Sequence, residues 1–179
     1  ELRDVMQRTI ARGGKVIIPA FSVGRTQELV YFLNRMVTEK EIPSLPVYVD
    51  SPLAVNASDI YRKYANLFDK EARQFVEEGR HPALNFDSLI YTRSVDESKA
   101  INEKKGPLVI ISASGMAESG RILHHLRNNI GDPKNTVLIV SWQAPYTLGR
   151  RLAERQQRVR IFGEEHICRA EIATIGGLS

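Results

Sequence analysis

The chain has 179 residues, 42% of them apolar, enough to bury a sizeable core within one domain. No apolar run approaches the roughly 20 residues needed to cross a bilayer. The formal charge of +4 suits a polyanionic partner without requiring one. The only cysteine, Cys168, excludes an internal disulfide and points to a cytoplasmic setting; no base lies near it in sequence, so it reads as core rather than nucleophile.

The chain opens with Glu1-Leu-Arg-Asp4, which is charged and unlike a secretory signal. Leu2, Val5, Met6 and Ile10 recur at helical spacing, predicting a helix over residues 1–12 that ends at Gly13-Gly14. Lys15 to Ala20 reads as a strand buried on both faces. Phe21-Ser-Val-Gly-Arg25 is the following turn, and Thr26 to about Glu39 is an amphipathic helix with Leu29, Val30, Leu33, Met36 and Val37 on one face. After Pro43 and Pro46, Leu45 to Val49 is a second strand. Asp50-Ser51-Pro52 then starts a helix, with Ser51 as its cap and Pro52 in its first turn.

A second short helix is predicted from Asp69 to about Glu78, then an irregular connection over 79–87 and a short strand at Leu89–Thr92. Ser94 and Glu97 have capping-box spacing for a helix reaching about Asn102. A buried strand at 107–111 leads into Ser112-Ala-Ser-Gly-Met-Ala-Glu-Ser-Gly-Arg121 and a helix at 120–130. Asn135 to Val140 is another buried strand, ending at Ser141-Trp142, and a helix follows over about Tyr146 to Glu154. Arg158–Phe162 and Glu171–Ile175 read as antiparallel or edge strands around Gly163.

Apolar strands alternating with amphipathic helices imply an α/β fold, a mostly parallel sheet with helices on both faces. Ligands of such sheets sit beyond the carboxyl ends of the strands. Ser22, Ser51, Ser112, Ser114 and Ser141 all follow predicted strands, so parallel strands gather their hydroxyls on one rim. Arg25, Arg121 and Arg150 sit at or just inside the next helices. Hydroxyls, helix-start N–H groups and a guanidinium together suit a phosphate. The plainer alternative makes the serines caps and pairs the arginines with Glu28, Glu118 or Glu154.

Catalytic signatures are missing. Gly24-Arg25-Thr26 lacks the spaced glycine and lysine of a Walker loop, and neither Gly-x-Gly-x-x-Gly nor Gly-x-Ser-x-Gly occurs. His81, His124, His125 and His166 are not spaced as a metal site. His124 and His125, adjacent on a helix, point in different directions, one toward the sheet and one toward solvent. Asp50 is the lone carboxylate on the rim suited to acid–base work, with capping as its ordinary role. Trp142 serves either stacking or packing. No catalytic or metal residue is assigned in the chain.

Several segments are familiar. Ile17-Ile-Pro-Ala-Phe-Ser-Val-Gly-Arg-Thr-Gln-Glu-Leu29, Pro46-Val-Tyr-Val-Asp-Ser-Pro-Leu-Ala54, Tyr61-Arg-Lys-Tyr64, Ile111 through Arg121 and Thr147-Leu-Gly-Arg150 resemble the β-CASP domain of metallo-β-lactamase-fold RNA-processing nucleases. The family includes the pre-mRNA 3′-end processing endonuclease and prokaryotic ribonucleases. The resemblance implies a Rossmann-like domain that caps a two-zinc active site, with RNA in the cleft between this domain and its own metallo-β-lactamase domain. The His-x-His-x-Asp-His metal motif and the later histidines of that family are absent from the sequence, so the chain reads as a fragment of a longer enzyme. By motif position, Ser22, Arg25, Ser51, Ser112, Ser114 and Gly115 face the cleft; Arg121 joins them as an RNA-phosphate ligand. Expected partners are RNA, the metallo-β-lactamase domain and, as one option, a second copy in a homodimer, with no membrane. The rival readings are a catalytically inactive scaffold in an RNA-processing complex and an unrelated small-molecule phosphate binder.

Overall fold

The computed structural model describes residues 1–78 and 84–176. Its centre is a six-stranded sheet, parallel throughout, in the order β3-β2-β4-β1-β5-β8. The strands are β1 (Lys15–Pro19), β2 (Val47–Val49), β3 (Leu89–Tyr91), β4 (Leu108–Ser112), β5 (Thr136–Ile139) and β8 (Glu171–Thr174), while β6 (Arg158–Ile161) and β7 (Glu164–Ile167) form a separate hairpin. The helices are α1 (Leu2–Ala11), α2 (Arg25–Thr38), α3 (Pro52–Lys63), α4 (Lys70–Glu78), α5 (Val95–Glu103), α6 (Arg121–Asn129) and α7 (Leu148–Ala153).

The inner strands are continuous apolar runs because both faces of the sheet are covered. Successive side chains alternate between two cores. Val16 and Ile18 of β1, with Val109 and Ile111 of β4, pack with Val5 and Met6 of α1 and Leu29, Val30 and Leu33 of α2. Ile17, Leu108 and Ile110 face the other way, toward Ile101 of α5, Ile122 and Leu126 of α6, Leu152 of α7 and Val159 and Ile161 of the hairpin. On β2, Val47 and Val49 join the first core and Tyr48 the second. The next residue in that alternation, Asp50, therefore enters the α5–α6 layer as a buried carboxylate.

Three sequence expectations are corrected. The helix after β5 starts at Leu148 rather than Tyr146, because Tyr146 has a left-handed φ of 69° and Thr147 caps the helix by accepting from the Arg150 amide at 3.1 Å. Arg158–Ile161 pairs antiparallel with Glu164–Ile167, a strand with no apolar alternation in its sequence to announce it and no clean alternation in its burial. Glu171–Thr174 is an edge strand, one of the two readings given for it, but its place is in the main sheet, where it runs parallel to β5 rather than antiparallel. Of the connection expected over 79–87, residues 79–83 lie outside the described residues, and His81 with them. Among the described residues no helix is long and apolar enough to cross a membrane.

Candidate functional site

The neighbouring strands β1 and β4 send their chains to opposite faces of the sheet, β1 to α2 in the first core and β4 to α6 in the second. Such a divergence opens a crevice at the carboxyl edge, where α/β sheets bind ligands. Here it is a shallow concavity of about 450 Å³ lined by Phe21, Ser22, Val23, Leu53, Ala113, Ser114 and Gly115.

Each turn bordering it is fastened to the next. Gly24 opens α2 at φ 80°. Its N–H donates to Gln27 Oε1 at 2.7 Å, and Gln27 Nε2 donates to the Ser22 carbonyl, the Ala54 carbonyl and Ser58 Oγ at 3.0–3.3 Å. Buried Gln27 thus fixes the β1–α2 turn against α3. Thr26 holds the Phe21 carbonyl with its hydroxyl at 2.7 Å. The hydroxyls of Ser22 and Ser51 share a hydrogen bond of 3.1 Å across the two turns, and Ser51 Oγ accepts from the Ala54 amide as the α3 cap.

On the β4 side, Ser114 Oγ accepts from the Glu118 amide at 3.1 Å. A Cβ on Gly115 would lie 2.9 Å from the Phe21 ring, so glycine is what lets that ring rest against the β4 turn. Gln143 Nε2 donates to the Gly115 carbonyl and to the Ser141 carbonyl, both at 3.0 Å, which draws the β5 turn into the assembly. Leu148 N–H donates to the Glu118 carboxylate, and Gly149 N–H to the Met116 carbonyl at 3.0 Å, seating α7.

Beneath this edge lies Asp50, fully buried. Its carboxylate accepts from Arg121 Nη1 at 2.8 Å, Thr92 Oγ1 and Ser98 Oγ at 2.5 Å each, and His125 Nε2 at 2.6 Å. Burial pushes its pKa up, but the hydrogen bonds from His125, Ser98, Thr92 and Arg121 outweigh this and leave it at about 2. A carboxylate so satisfied is structural: it joins β2, the end of β3, α5 and α6. It does not cap α3, the role sequence reasoning offered it; Ser51 does.

The predicted site residues fall into two groups. Ser22, Ser51, Ser114, Gly115 and Arg25 border the concavity or the turn beside it. Arg25 Nη1 is paired with Glu28 at 2.6 Å, and Arg150 with Glu154 at 2.7 Å, as the plainer alternative anticipated. Ser112 and Arg121 stand behind the rim. Ser112 is 1% exposed and donates to the Asp50 carbonyl at 2.8 Å; Arg121 spends Nη1 on Asp50 rather than Glu118, and Nη2 on the Arg93 carbonyl. Ser141 reaches the same edge but accepts from Gln143 Nε2 at 3.2 Å. Trp142 is 69% exposed and Tyr146 90%, so neither packs into the core.

The adjacent histidines part as expected: His125 is buried at Asp50, and His124 lies exposed against Phe162. Among the described residues no group of three or more His, Cys, Asp or Glu side chains could hold a metal ion, and the closest acid–imidazole pair, Asp50–His125, is already saturated. The side chains present among the described residues do not fit a zinc centre.

A parallel α/β sheet with a crevice at its carboxyl edge, where Ser22, Ser114 and Gly115 sit among Phe21, Val23, Leu53 and Ala113, defines the class, and the chain belongs to the Beta-Casp domain family, matched over residues 26–152. Among its relatives, it is 36% identical to ribonuclease TTHA0252 of Thermus thermophilus over all of the chain and 41% of that protein. It is 33% identical to an RNase J-like protein of Methanocaldococcus jannaschii, over 98% of the chain and 39% of that protein. It is 34% identical to transcription termination factor FttA of Thermococcus kodakarensis, over 99% of the chain and 28% of that protein. The chain thus spans less than half the length of these relatives.

Proposed function

We propose that this chain is the RNA-gripping cap of a zinc-dependent ribonuclease. The observation that carries the reading is the switch-point concavity, where Ser22, hydrogen-bonded to Ser51 behind it, meets Ser114 and Gly115, with Arg25 at the start of the helix that follows the Ser22 turn. Hydroxyls and amide N–H groups on rigid turns suit the non-bridging oxygens of a phosphodiester. Ser22, Ser51, Ser114, Gly115 and Arg25 take the phosphates; Ser112 and Arg121 keep that edge in place from behind. Two of the three relatives above carry ribonuclease or RNase in their names, which supports RNA hydrolysis as the work of a longer protein. In this reading the zinc pair belongs to a metallo-β-lactamase domain, and the present chain binds and orients the strand.

The test is fluorescence anisotropy with a labelled single-stranded RNA. Because Arg25 shares its charge with Glu28, binding is weak, and it falls steeply between about 50 and 200 mM salt, as counterion release requires. Arg25→Ala and Ser114→Ala each weaken binding several-fold while the melting temperature stays near wild type. Affinity indifferent to salt, or unchanged in both variants, overturns the reading.

A further inference from the structure

One aromatic cluster lies outside the concavity. Phe162 occupies the tip of the β6–β7 hairpin, with φ 53° at Phe162 and 81° at Gly163. Two-residue hairpin loops with both φ values positive favour Asn-Gly or Asp-Gly, and a bulky side chain there is strained. Phe162 nevertheless keeps this position and leaves 49% of its surface exposed. Its ring lies 4.6 Å from that of His124 on α6, tilted by 43°, and the Arg127 guanidinium sits 5.6 Å from its centroid.

The electrostatics around the ring are one-sided on the α6 side. Arg127 has no carboxylate within ion-pair reach among the described residues, unlike Arg25, Arg150 and Arg158. His124 is held below its usual imidazole range by partial burial first, then by the positive charges of Arg127, His125 and Lys99. A neutral imidazole and a phenyl ring beside an uncompensated guanidinium match an unpaired base together with its phosphate. The acidic residues of the hairpin do not reverse this, since Glu165 is bound to Arg158 at 2.8 Å and Glu164 lies next to His166 at 4.0 Å.

We infer that Phe162, His124 and Arg127 form a second contact for single-stranded RNA, in which a base stacks on the exposed part of Phe162 and Arg127 meets the adjoining phosphate. The site rests on the RNA reading of the rim and extends it along α6, whose first residue, Arg121, is anchored behind that rim.

The experiment compares a labelled oligoadenylate with an abasic strand of equal length on wild type, Phe162→Leu, Arg127→Gln and Arg25→Ala. Leucine retains an apolar anchor for the hairpin but not the stacking face, and melting curves check that the fold is kept. Phe162→Leu loses about fivefold or more in affinity for oligoadenylate, the lower end of a single stacked base, and nothing for the abasic strand. Arg127→Gln weakens both, and 4-thiouridine RNA crosslinks to the peptide containing Phe162. If Phe162→Leu binds oligoadenylate like wild type while Arg25→Ala is weakened, the second contact is refuted and the rim stands; a protein-docking role for Phe162 would give this result. If wild type binds neither strand, both readings fall together.

Discussion

The Arg121 guanidinium meets the Asp50 carboxylate at 2.8 Å, just beneath the edge where β2 and β4 end. An arginine that the sequence offers to the ligand is thereby held by the core, and a buried charge is balanced from the surface side. Removing one partner of such a pair leaves the other uncompensated. Asp50→Asn is expected to cost about 3 kcal/mol of unfolding free energy, since Arg121 and His125 would both face a neutral amide. Urea titrations of variant and wild type measure this, and near-equal midpoints would contradict it.

The same carboxylate predicts a pH dependence. Its pKa drops from an ordinary 3.8 to about 2 on folding. Between those values the unfolded chain binds the proton and the folded chain does not, so stability rises with pH through that window. The contribution, about 2 kcal/mol, is complete above about pH 4 and lost as pH falls toward 2. Glu171, which also has a lowered pKa, adds to acid sensitivity through Arg8 and Arg12. Comparing the slope of stability against pH in wild type and Asp50→Asn isolates the Asp50 share, which the variant lacks.

Glycine substitutions separate the rim from the scaffold. In Gly115→Ala the new methyl meets the Phe21 ring, which is 44% exposed and can swing outward. This variant is expected to lose little stability but to deform the concavity and weaken RNA binding. In Gly149→Ala the methyl would lie 1.8 Å from Gln143 Oε1 and 2.9 Å from the Met116 backbone oxygen, with both elements fixed. That variant is expected to fall several degrees in melting temperature. Calorimetry and anisotropy on the pair decide it; equal stability losses would mean that Phe21 cannot move.

Gln27→Ala is expected to cost about 1–3 kcal/mol, because the Gly24 N–H and the Ser22 and Ala54 carbonyls each lose a side-chain partner in a buried setting. It should also raise hydrogen exchange at residues 22–24 ahead of the rest of α2, a local signature that distinguishes a loosened turn from a globally weaker fold.

The architecture was legible because its signals are local. Continuous apolar strands such as Val16-Ile-Ile18 and Leu108-Val-Ile-Ile111, the Ser51-Pro52 start of α3 and the Ser94–Glu97 capping box each declare one element without reference to the others. The Asp50 network was not legible, because Thr92, Ser98, Arg121 and His125 come from three segments that meet only once β2 lies beside β4 and α6 covers the same face. Alternation of Tyr48 and Asp50 against Val47 and Val49 could have assigned Asp50 to that layer. Gln27 and Gln143 carry no local pattern: each is a polar residue whose partners lie in another turn. The hairpin escaped because its outer strand, Glu164–Ile167, is mostly exposed and does not alternate.

Of this sheet's strands, the first in sequence, β1, lies in the middle, between β4 and β5. During synthesis Ile17 and Ile18 must therefore wait for β4, some ninety residues later, to close one flank and for β5 to close the other. Such a timetable favours slow assembly and exposes a sticky intermediate. Yield at high expression rates should depend on holding chaperones more than the compact final structure would suggest.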